Sequence, residues 1–126
     1  MRKSLLLLSA LLLTACTTMS IDEMREQLPA KTYTSERAPD DFTECVVGVF
    51  NSNARGFEMI RFDGAKSFRQ GNRTTITAET GFPMYILDVI SIGGGGTGSL
   101  IQERNLDKMP IGYLKRFQGL TKTCLL

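Results

Sequence analysis

The sequence predicts an α+β domain, an antiparallel β-meander of about five to six strands with a C-terminal helix packed on one face. Three observations carry that expectation. From residue 45 onward, short β-rich runs alternate with Asn, Gly and Asp turn residues, as strands and hairpins do. The connections are too short for the crossovers that parallel strands require, so neighbours pair antiparallel. Residues 110–124 then switch from a period of two to an apolar stripe at helical spacing.

At the N-terminus, Arg2 and Lys3 precede a leucine-rich run from Leu5 to Leu13, followed by Thr14, Ala15 and Cys16. Two cations, a short apolar core and small residues before a cleavage point make a secretory signal. The run is well short of the ~20 apolar residues that span a bilayer as a helix. The sequence Leu13-Thr14-Ala15-Cys16 resembles the lipobox of bacterial lipoproteins. That resemblance implies removal of residues 1–15, a diacylglycerol on the Cys16 sulfur and an acylated Cys16 amine. Each buried methylene contributes ~0.8 kcal/mol, so two or three acyl chains hold a small domain at a membrane. Thr17 stands where enteric lipoproteins retained at the inner membrane tend to carry Asp, which favours the outer membrane, facing the periplasm.

The chain has 126 residues, and without residues 1–15 it is long enough for one core and too short for two. Its formal charge of +2 comes from 15 Lys and Arg against 13 Asp and Glu, so losing Arg2 and Lys3 brings the signs to parity. Residues 17–44 hold seven acids and three bases, whereas 45–126 hold ten bases and six acids. An acidic tether, 16–44, is thus expected before a mildly basic globular domain, 45–126, whose charges read as ordinary solvated faces. Within the tether, Ser20-Ile21-Asp22-Glu23 has the form of a capping box, and Ile21, Met24 and Leu28 share a face before Pro29. A short helix over 20–28 is expected there. Pro29, Pro39, Asp40 and Asp41 read as extended or disordered passage, giving a flexible tether a reach of roughly 30 Å.

Residues 45–51 are apolar and β-rich and read as the first strand, with a turn over 51–56 and a second strand over 57–62. Asp63-Gly64 is a hairpin signal. Residues 65–69 and 73–79 flank Gln70-Gly71-Asn72, and Thr74, Ile76 and Ala78 alternate with their neighbours as in a half-exposed strand. Residues 83–92 are apolar on both faces apart from Asp88 and Ser91 and read as the central strand; 99–104 reads as the last. In 110–124, Tyr113, Leu114, Phe117, Leu120 and Cys124 form one helical stripe behind Pro110.

With Cys16 lipidated, two thiols remain, Cys45 and Cys124, in an oxidising compartment. They are expected to pair as a structural staple closing a loop of about 80 residues, which the chain-entropy model values at ~4.5 kcal/mol.

The run Gly93-Gly94-Gly95-Gly96-Thr97-Gly98 meets the pattern G-x-G-x-x-G of dinucleotide-binding folds. No convincing second strand with an acid for a ribose hydroxyl follows it, beyond the short run 99–104 that begins at once, and Ser99 stands where a phosphate-binding loop needs Lys. The run therefore reads as a mobile hairpin tip that can serve as a partner-binding loop, and neither nucleotide nor other cofactor is expected.

Histidine is absent, which removes Ser-His-Asp and Cys-His nucleophile pairs, His-ligated zinc and any imidazole base. Glu58, Asp63, Glu79, Asp88 and Glu103 are the carboxyl candidates for glycoside hydrolysis. Asp88, the one acid in an apolar strand, is more simply expected to pair with an Arg or the backbone. Arg61, Lys66, Arg69 and Arg73 cluster around one hairpin, but Phe68 is the lone aromatic among them, so nucleic acid is not expected. The composition favours a non-catalytic interaction or accessory module that binds an envelope protein. A ligand-binding or inhibitor lipoprotein, resembling the periplasmic lysozyme inhibitors in general plan, comes second, and a carboxylate-based hydrolase last.

Overall fold

The computed structural model describes residues 19–54, 64–79, 81–92, 97–106 and 112–125. It is α+β. Its elements in chain order are helix α1 (Ile21–Gln27), strand β1 (Lys31–Ser35), helix α2 (Pro39–Ser52), strands β2 (Gly64–Gln70), β3 (Arg73–Glu79), β4 (Pro83–Ile92) and β5 (Gly98–Asn105), and helix α3 (Tyr113–Thr123). The strands form one antiparallel sheet in the order β1-β5-β4-β3-β2, with β4 in the centre as its two apolar faces predict. Gln70 pairs with Arg73 across Gly71-Asn72, where Gly71 takes φ +61°. A two-residue hairpin loop demands that left-handed backbone, and glycine adopts it without steric cost.

Two expectations are corrected. Residues 45–51 are not a strand but the second half of α2. Pro39 opens that helix, Asp40 and Asp41 lie in its first turn where the helix dipole favours acids, and Phe42, Val46 and Phe50 bury one face. This stripe outweighs the β preference of Val46, Val47 and Val49, because burying a continuous face contributes more than propensity does. Residues 20–44 are likewise no tether. They hold α1, the edge strand β1 and the first turns of α2, so these residues are part of the folded unit. The short helix expected at 20–28 is present, with the Ser20 side chain accepting from the Glu23 amide at 3.2 Å. The strand expected at 57–62 lies outside the described residues.

Helices α2 and α3 cover one face of the sheet. Phe50, Tyr85 and Phe117 form its centre, with ring centroids 5.3 Å apart for Phe50–Phe117 and 5.2 Å for Tyr85–Phe117. Ile76, Leu87, Val89 and Ile101 complete the packing from the sheet. The Cys45–Cys124 disulfide joins α2 to the end of α3 beside this core, as expected. Helix α1 lies on the opposite face: its Arg25 reaches Thr75 and Asp88, which pair with each other across β3 and β4 and alternate with the core-facing Ile76 and Leu87. Among the described residues, no helix is long and apolar enough to cross a membrane.

Candidate functional site

The sheet carries a buried acid on each face. Asp88 sits in the middle of β4, fully buried, beneath α1. Arg25 grips it with two bonds, Nε to Oδ2 at 3.0 Å and Nη2 to Oδ1 at 2.8 Å. Thr75 donates to Oδ1 at 2.8 Å, and Arg104 Nη1 reaches Oδ2 at 3.3 Å. Burial opposes ionisation of Asp88, but hydrogen bonds from Arg25 and Thr75 and the charges of Arg25 and Arg73 outweigh it, so the carboxyl is held below its ordinary value. An acid locked into four bonds with its charge stabilised is a structural anchor for α1, the paired role expected of it, and a poor proton donor.

Glu103 faces the other way, toward α3, and is also buried. It accepts from Tyr85 Oη at 2.5 Å and from Gln118 Nε2 at 2.8 Å, and Tyr85 in turn contacts Thr121 Oγ1 at 3.0 Å. Burial, then the charge of Glu103, pushes the Tyr85 phenol well above its ordinary value, so its proton stays in place to be donated. Replacing Tyr85 by Phe removes that donor and leaves Glu103 under-bonded; a loss of about 1–3 kcal/mol in urea unfolding is expected, and an unchanged midpoint would show that the bond contributes nothing.

Asp88 and Glu103 project from opposite faces of the sheet, so they cannot flank one scissile bond as a glycosidase pair must. Glu79 lies at the end of β3, half-buried, 3.8 Å from the exposed Lys66. Glu58, Asp63 and Arg61 lie outside the described residues, as do Cys16 and Gly93, Gly94, Gly95 and Gly96. Thr97 is exposed, and Gly98 opens β5. The glycine run is thus bounded by β4 and β5, the place expected for a hairpin tip. Among the described residues, no group of three or more His, Cys, Asp or Glu gathers to hold a metal ion.

A groove that sequence reasoning missed runs between α2 and β2. Asp40, Thr43, Glu44, Val47 and Gly48 form its helix wall, a stripe at helical spacing, and Ser67, Phe68, Arg69 and Thr74 line the sheet side; its volume is about 630 Å³. Misreading 45–51 as a strand hid that stripe, because Asp40 and Thr43 then had no geometric relation to Val47. Thr43 is nine-tenths buried, and its Oγ1 has no hydrogen-bond partner among the described residues. Arg25 and Arg104 were also missed, for no local signal links them to Asp88. No protein-family model, curated protein or solved structure matches the chain.

Proposed function

We propose that this protein is a lipid-anchored, non-catalytic interaction or accessory module of the bacterial envelope, held at the outer membrane through Cys16 and facing the periplasm. The observation that carries this reading is the junction between the lipobox and the fold. Only Thr17, Thr18 and Met19 separate Cys16 from the helix cap Ser20. Fully extended, those few residues span roughly 10–14 Å, so the domain rides at the level of the headgroups rather than on a long tether. The Cys45–Cys124 bond supports an oxidising compartment. The two buried acids serve packing and bonding on separate faces, which supports a module that binds rather than one that turns over substrate.

In cells fed labelled palmitate, the full chain is expected to take up label and to partition almost wholly into a detergent phase. Cys16→Ser is expected to lose both properties. Label retained by the variant, or absent from the native chain, would overturn the anchored reading.

A further inference from the structure

Among the described strands β2 is the last of the sheet, and its outer edge can be read residue by residue. The Ala65 amide donates to Asn51 Oδ1 at 2.8 Å, and the Ala65 carbonyl accepts from Asn51 Nδ2 at 3.4 Å. The side chain of Asn51 thus takes the place of a neighbouring strand at this one residue, so the backbone groups of Ala65 point away from β3. In an antiparallel ladder both groups of a residue point the same way and alternate along the strand. Ser67 and Arg69 therefore also present amide and carbonyl outward, while Lys66, Phe68 and Gln70 bond to β3. That parity agrees with the Gln70–Arg73 hairpin pair. Both Ser67 and Arg69 are exposed, and among the described residues nothing pairs with their outward groups.

We infer that this edge is a self-association surface, on which β2 of a second copy adds antiparallel and makes a ten-stranded sheet. One register satisfies both open residues: Ser67 of each copy opposite Arg69 of the other, with Phe68 facing Phe68 across a two-fold axis. Phe68 is 39% exposed, one of the few large apolar side chains at the surface of the described residues.

Charge favours a second copy as the occupant. In this register Arg69 of the second copy lies beside Ser67 on the helix side of the sheet, in the groove whose α2 wall carries Asp40 and Glu44. Within one copy, Arg69 also borders this groove, and its Nε donates to the Gly71 carbonyl at 3.1 Å. Each copy supplies both the base and the acids, as an isologous interface requires.

The membrane geometry agrees. A two-fold axis that continues an antiparallel sheet stands perpendicular to it, so α1 of both copies emerges on the same face. Both lipidated cysteines then reach one bilayer. This last argument rests on the anchored reading proposed above, whereas the edge pairing does not.

The test is disulfide trapping of Phe68→Cys in the full chain. Residue 68 and its symmetry mate form a non-hydrogen-bonded pair with Cα atoms about 4.5 Å apart, within the range a disulfide spans. Under mild oxidation in cells, a reductant-sensitive species of twice the monomer mass is expected, at least about tenfold above that from Thr32→Cys on the other edge strand, β1. Adding Ser67→Pro deletes an outward amide while leaving the bonds to β3, and is expected to cut trapping by about tenfold with the Cys45–Cys124 bridge and circular dichroism retained. Four outcomes would overturn the inference: Phe68→Cys remaining monomeric, trapping no stronger than Thr32→Cys, trapping indifferent to Ser67→Pro in a folded chain, or a crosslink to a different protein in place of a second copy. Detergent partitioning of the same samples reads the anchor separately.

Discussion

Asp88→Ala is expected to lower the stability of the domain by about 3–5 kcal/mol, because it leaves Arg25 and Arg104 largely buried with their common acid gone. The Arg25 and Arg104 side chains are 15% and 13% exposed, so water cannot replace the lost partner at little cost. Urea unfolding checks this, and a midpoint within error of the native chain would refute it. The same site sets an acid limit. The Asp88 carboxyl titrates lower in the folded than in the unfolded chain, so below about pH 4 the unfolded chain binds more protons and stability falls with pH. The contribution is complete above the ordinary carboxyl value and is lost as pH drops through the folded one. Asp88→Asn is expected to flatten that acid limb, and a variant that tracks the native profile between pH 5 and pH 2 would assign the limb to other groups.

Loss of the disulfide is the second large effect. Cys45 and Cys124 are 79 residues apart in sequence. Replacing both by Ala restores the unfolded chain's freedom over that loop and is expected to cost ~4.5 kcal/mol. Against total stabilities of roughly 5–15 kcal/mol for ordinary domains, that is enough to bring the fold close to its threshold. The urea midpoint is expected to fall steeply, both in the double variant and in the native chain under reductant. A midpoint that ignores both changes would show the bridge to be incidental.

What the sequence discloses depends on how local the determining contacts are. The β2–β3 hairpin was legible because Gly71-Asn72 and the β-rich run after it act within a few residues. Yet β3 is buried on both faces and not half-exposed as the alternation of Thr74, Ile76 and Ala78 suggested, because α1 covers the face that carries Thr75. Strand β4 was legible because a run apolar on both faces has to be buried on both. Helix α2 was not, since Val46, Val47 and Val49 prefer strands in isolation. Only the presence of a sheet to cover makes the 42–46–50 stripe decisive, although Pro39-Asp40-Asp41 was an available helix-start signal. Strand β1 was missed because five residues, of which only Ser35 is buried, carry little pattern. The candidate site follows the same rule. A paired role for Asp88 was foreseeable, but the identity of Arg25, 63 residues away, was not. The groove depended on α2 and stayed hidden with it.

The strand order β1-β5-β4-β3-β2 also has a kinetic meaning. Lys31 pairs with Glu103, so the first strand made has no place in the sheet until the last arrives. Closing so long a loop is slow, because its entropy is lost before the contacts form. A chain crossing a membrane from its N-terminus would therefore keep its early half unpaired during transit, an export-competent thread. It would close into a domain only when β5 and Cys124 emerge on the far side.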